Sequence, residues 1–125
     1  MEGVVRGVYK SLKRNNLYNV YGAGNFDELC GGESLLSIGR HSETLSKIEI
    51  YYNDSQKKFI LKGDSGDLIP FLDMEHIIYQ ALYDSEEFGK NAYWIRPKEM
   101  FFGNTNLNGI IIPRFEFIHG RIVVL

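Results

Sequence analysis

Asp73-Met74-Glu75-His76-Ile77-Ile78-Tyr79-Gln80-Ala81-Leu82 is the stretch on which the architecture turns. Met74, Ile77, Ile78, Ala81 and Leu82 fall at i, i+3, i+4, i+7 and i+8, the spacing of one apolar stripe along a helix. Read this way, a central amphipathic helix covers about residues 71–88. Pro70 suits a first helical position and Asp73 an N-cap. Gly89 is a natural terminator.

On either side of this segment the chain reads as strands. In Lys47–Asn53, Ile48, Ile50 and Tyr52 share one face while Glu49 and Tyr51 point the other way. Asn53-Asp54-Ser55-Gln56 is a turn, and residues 57–62 return as the partner of a hairpin. Residues 35–38 make a short strand. Further strands are expected at 92–96, ended by Pro97, at 99–102, at 110–112, ended by Pro113, and at 114–118. His119-Gly120 turns the chain into a last apolar strand, 121–125.

Residues 4–14 admit two readings. Val4, Val5, Val8 and Leu12 sit at near-helical spacing, with Arg6, Lys10, Lys13 and Arg14 opposite and Gly3 and Gly7 weakening the helix. The alternative is a strand that turns at Asn15-Asn16 and returns through 17–21, since Asn tolerates positive φ. Residues 22–34 are a Gly-rich connection. Gly22, Gly24, Gly31 and Gly32 match neither nucleotide-binding glycine motif, because Asp27 occupies the third Rossmann position and no Gly-Lys-Ser/Thr follows. The expected fold is a single α+β domain over 1–125. A mostly antiparallel sheet of hairpins packs on the central helix, and a second, N-terminal helix is an option.

A chain of 125 residues with 44% hydrophobic content buries a full core, so disorder is excluded. The single cysteine, Cys30, rules out an internal disulfide and zinc sites built on paired cysteines. It is expected as a small buried or half-buried residue. Residues 1–6 lack the apolar run of a signal peptide, and no apolar stretch approaches ~20 residues. A reducing, cytoplasmic location follows as the expectation, without membrane contact.

Charge is the main functional clue. The 27 residues from Gly63 to Gly89 hold seven acids and no Lys or Arg, while the rest of the chain sets fourteen Lys and Arg against nine acids. Asp84, Glu86 and Glu87 fall near the C-terminal end of the expected helix, where the dipole disfavours negative charge. A contact role explains them better. The first expectation is therefore a non-enzymatic binding protein, most concretely an immunity or antitoxin-like inhibitor. It would dock a basic partner such as a nuclease toxin through Asp73, Asp84, Glu86 and Glu87. Tyr93, Trp94, Arg96 and Lys98 interleave aromatic and basic side chains on one strand, a pattern that also suits base stacking, and Trp94 beside Arg96 adds an aromatic–cationic hot spot. A net charge of −2 argues against generic binding of nucleic acid, and no cofactor is expected.

Two alternatives stand beside it. A small hydrolase or nuclease would use His41, His76 or His119 with nearby acids, for example His41 and His119 as acid and base. Separately, the acidic segment could hold a divalent metal, with hard oxygen ligands from Asp64, Asp67 and Asp73 and one imidazole from His76, although the spacing is not that of an EF-hand loop. The other alternative is a phage or mobile-element accessory protein that assembles through sheet edges.

Overall fold

The structure, a computed structural model, describes residues 4–125; residues 1–3, and with them Gly3 of the expected N-terminal helix, lie outside it. In chain order the strands are β1 (Gly7–Ser11), β2 (Leu17–Phe26), β3 (Glu33–His41), β4 (Lys47–Asn53) and β5 (Lys58–Lys62). A 3-10 helix, Gly66–Phe71, precedes β6 (His76–Ala81), β7 (Asp84–Ser85), β8 (Gly89–Lys90) and β9 (Tyr93–Pro97). The four-residue helix α1 (Lys98–Phe101) leads to β10 (Asn104–Leu107), β11 (Ile110–Pro113) and β12 (Phe115–His119). Six strands, in the order β2-β5-β4-β3-β9-β6, form a ring that β2 closes by pairing with β6. β1 and β12 continue the sheet outward from β2, and two small hairpins, β7–β8 and β10–β11, stand apart.

The expected α+β fold with a central helix is therefore wrong: the protein is nearly all β, and the expected helix at 71–88 is a 3-10 end, the strand β6 and a hairpin. All six residues of β6 are buried. Ile77, Tyr79 and Ala81 join Tyr9, Tyr18, Val20 and Phe101 in one core. Ile78 joins Ile48, Ile50, Leu61, Leu68 and Ile95 in the other, inside the ring. A strand covered on both faces loses its polar/apolar alternation and reads as a continuous apolar run. Such a run satisfies helical spacing by accident. Full burial of an apolar side chain contributes about 1.5–3 kcal/mol, against helix-propensity differences below about 1 kcal/mol per residue. Packing on two faces wins.

The N-terminal segment takes the strand reading, not the helix. β1 pairs antiparallel with β2, and Asn15 supplies the left-handed turn residue with φ 63°. β2 is long enough to hold β1 along 17–20, β5 along 24–26 and, on its other edge, β6 along 18–24, with a register shift between Val20 and Gly22. The hairpin expected at 47–62 is β4–β5. Two parallel pairings complete the ring, β2 with β5 and β3 with β9. A glycine sits in each. A Cβ on Gly24 would lie 2.8 Å from Phe59 Cβ, and one on Gly39 would lie 2.8 Å from the Tyr93 carbonyl oxygen. These strands approach closer than any side chain allows.

Other expectations need correction. The Gly-rich connection is shorter than 22–34, because β2 runs through Phe26 and β3 begins at Glu33. Cys30 lies in what remains of it and is exposed. Residues 98–101 form α1, which buries Phe101 against Phe115 with rings stacked at 4.1 Å. Residues 121–125 are not a strand. The buried Asn19 amide tethers them instead, donating to the Val123 carbonyl and accepting from its N–H, both at 2.9 Å. Among the described residues, no helix is long and apolar enough to cross a membrane.

Candidate functional site: a cationic cleft with an aromatic floor

Alternation along β9 buries Ile95 and Pro97 and turns Trp94 and Arg96 to the opposite face. Trp94 pairs with Tyr79 on β6 and with Arg40 on β3. Around this face stand three other parts of the chain. The β1–β2 turn brings Lys13 and Arg14, held by the Asn15 N–H on the Ser11 carbonyl and the Ser11 N–H on the Asn16 carbonyl. The β7–β8 hairpin brings Glu87 and Phe88. Arg114, between β11 and β12, is pinned through its backbone: its N–H donates to Gly103 and its carbonyl accepts from Leu12.

Together they enclose a hollow of ≈ 390 Å³. Its aromatic residues are Tyr18, Tyr79, Tyr83, Phe88, Trp94 and Phe115, and its cations are Lys13, Arg14, Arg96 and Arg114. Glu87 is the one acid among the lining residues.

The arginines are oriented by neutral groups. Arg96 Nε donates to the Tyr79 hydroxyl at 3.0 Å, and its guanidinium lies 5.8 Å from the centre of the Phe115 ring. Arg114 Nε donates to the Met100 carbonyl at 3.1 Å. Burial, and then the neighbouring Arg96 charge, push the Arg114 guanidinium below its ordinary value, yet a guanidinium stays protonated in any physiological solution. Among the described residues the ion pairs are Lys57–Asp54 and Lys98–Glu75, and neither involves a cation of the cleft. The Tyr18 and Tyr83 hydroxyls share a 2.8 Å hydrogen bond in the floor. Burial first, and that bond second, push Tyr18 far upward, so it remains a neutral phenol.

The histidines do not enter this cleft. His41 and His76 meet inside the ring, fully buried, with Nε2 atoms 3.0 Å apart; His119 is exposed at the end of β12. The remaining contacts assign the protons. His76 Nδ1 faces the Met74 carbonyl at 2.8 Å and must donate. His41 Nδ1 accepts from the Glu43 N–H at 3.2 Å. His41 Nε2–H therefore donates to His76 Nε2, and both rings are neutral. Burial lowers both proton affinities, and the proximity of His76 lowers that of His41 further, to about 4. Phe71 and Phe26 cover the two rings, with centroids at 4.7 Å and 5.1 Å. No nitrogen is left for a substrate or a metal.

The acids separate. β6 sets six buried residues, roughly 20 Å of extended chain, between Asp73–Glu75 and the Asp84–Glu87 hairpin. Asp84, Glu86 and Glu87 are exposed together on β7–β8 and its turn, whereas Asp73 is exposed at the far end of β6. Glu75 is tied to Lys98 Nζ at 3.0 Å. Asp64 and Asp67 are exposed near the 3-10 helix, away from the committed nitrogens of His76. Among the described residues, no group of three or more His, Cys, Asp or Glu is arranged to hold a metal.

Residues 72–117 match the model of a family described as a protein of unknown function, DUF1653. No curated protein and no solved structure matches the chain. The matched segment contains Trp94, Arg96, Arg114 and Phe115 but not Lys13, Arg14 or Tyr18. Sequence reasoning singled out Trp94 and Arg96, from the alternation of aromatic and basic residues at 93–98. It assigned no ligand role to Lys13 or Arg14 and overlooked Arg114 and the tyrosines. No local motif joins these residues; only the pairing of distant strands does.

Proposed function

We propose that this protein is a non-enzymatic binding module whose cleft takes an anionic ligand bearing a planar ring, a nucleotide or a nucleotide unit. One observation carries the reading: four cations without a carboxylate partner among the described residues surround an aromatic floor in a single hollow. Cations left unpaired by the protein favour an anion from outside, through charge-assisted hydrogen bonds. Aromatic side chains add about 1–3 kcal/mol for each base they stack. No histidine or cysteine lines the hollow, which favours binding over turnover.

The test is calorimetric titration with uridine and adenosine monophosphates and with inorganic phosphate. Saturable binding of the nucleotides is expected, weaker binding of phosphate, and a loss of at least about tenfold in an Arg96→Gln/Arg114→Gln variant, as charge-assisted bonds of about 1.5–3 kcal/mol disappear. An unchanged affinity in that variant removes the reading.

A second reading keeps the acidic surface: docking of a basic protein, such as a nuclease toxin, in the manner of an immunity protein. The exposure of Asp84, Glu86 and Glu87 on one hairpin favours it. Reversal of all three to Lys should then abolish capture of a stoichiometric basic partner that salt otherwise releases. Capture that survives the reversal excludes this surface.

A further inference from the structure

A second hollow, of ≈ 510 Å³, lies on the other side of Phe88 and Trp94, which line both. It holds Arg40, Lys47 and Lys90 and no acid. Phe88 stands edge-on to Trp94 with ring centroids at 4.8 Å, and the Arg40 guanidinium lies 5.9 Å from the centre of the Phe88 ring. The divider is thus aromatic and cationic from both sides. Arg40 is further fixed by a 3.0 Å hydrogen bond from Nη1 to the Leu45 carbonyl. Half of the chain's fourteen Lys and Arg residues line the two hollows, with Glu87 as the one acid. A net charge of −2 for the whole chain conceals this local field.

Resting on the function proposed above, we infer that the two hollows form one groove for single-stranded nucleic acid. At least one nucleotide sits on each side of the Phe88–Trp94 divider. Three features select this class of polyanion. The cations recur on both sides of the divider, as successive phosphates require. Phe88 and Trp94 are partly exposed rings placed between them, where unstacked bases are received. The cations line two hollows that share Phe88 and Trp94, a layout suited to unstacked bases rather than to a paired duplex, whose bases stay stacked on one another.

The test is fluorescence polarisation of labelled oligouridylates and oligothymidylates of two, four and eight nucleotides, with a hairpin duplex and heparin as competitors. Affinity should rise at least tenfold from the mononucleotide to the octamer. Substituting the exposed Arg40→Gln, Lys47→Gln and Lys90→Gln together should return the octamer to mononucleotide affinity. It should also reduce the slope of log K against log salt by roughly 2, at about 0.7 for each single-strand phosphate that the protein no longer neutralises. Affinity independent of length, or a silent triple variant, overturns the groove while leaving the mononucleotide site intact. Equal competition by duplex overturns the single-strand assignment, and equal competition by heparin overturns nucleic acid as the ligand. Failure of both mononucleotide and octamer to bind removes the underlying site as well. The length series needs no substitution, so it stands even if the triple variant folds poorly.

Discussion

His41 Nε2 donates to His76 Nε2 across 3.0 Å, and every other ring nitrogen of the pair is engaged by the backbone. The chain of bonds is self-consistent with both rings neutral. A proton added to His41 would set Nδ1–H against the Glu43 N–H. A proton added to His76 would set two N–H groups against each other. The unfolded chain protonates both imidazoles near pH 6.5, while the folded chain resists until His41 titrates near 4. Between those values the unfolded state binds more protons, so stability rises with pH there and falls as acid is added. Melting temperature should drop by several degrees between pH 7 and 4.5, with each histidine contributing at most about 1.4 kcal/mol per pH unit. Imidazole chemical shifts should show His41 neutral at pH 5.5 and His76 titrating below its ordinary value; a charged His41 at that pH would contradict the assignment.

Two positions of the apparent helical stripe, one inside β6 and one before it, distinguish the strand from a helix. Ile78 is fully buried, whereas Met74, on the same apparent helical stripe, is 41% exposed. Ile78→Ala should cost about 2–5 kcal/mol and Met74→Ala within about 0.5 kcal/mol, read from urea midpoints. Similar losses at the two sites would restore the stripe.

Gly39→Ala places a methyl 2.8 Å from the Tyr93 carbonyl oxygen and forces β3 away from β9. Since β9 carries Trp94 and Arg96, this single carbon should lower the urea midpoint and shift the emission of Trp94 together. A variant as stable as the parent would mean that the parallel pairing has room for a Cβ at this position.

Asn19→Ala removes both hydrogen bonds that hold residue 123. Hydrogen exchange at the Val123 amide should accelerate to the rate of an open chain, while the amides of β4 and β5 keep their protection. Retained protection at Val123 would point to another anchor.

Trp94 is the chain's one tryptophan and lines both hollows. Nucleotide binding should quench or shift its emission with the same midpoint as the heat of binding. Saturable binding without any optical change would place the ligand elsewhere.

Legibility in the sequence followed local chemistry. The β4–β5 hairpin could be read because its alternation and its Asn-Asp-Ser-Gln turn lie within sixteen residues. β6 was misread because burial on two faces erases the alternation that marks a strand. Trp94 and Arg96 were visible as an aromatic–basic alternation on one strand, and the turn at Asn15 offered a strand for the N-terminus. Lys13, Arg14 and Arg114 join them only through pairings that no window of sequence contains. The acids of 63–89 looked like one surface because a helix would have stacked them; an extended β6 pulls them apart. His41 and His76, 35 residues apart, share neither a spacing rule nor a motif.

The closed ring also imposes an order in time. The β3–β4–β5 meander is built from near neighbours, but the β2–β6 seam joins residues as far apart in the chain as Tyr18 and Ala81. Long loops make such closure slow. During synthesis β2 to β5 all emerge before β6, so an incomplete sheet must wait for its last staves. Trp94, paired with Arg40 across the β3–β9 contact, is placed to report the moment the late strands join the meander. In refolding from urea its signal should trail the far-ultraviolet signal of the meander, and coincident signals would mean that ring and meander form in one step.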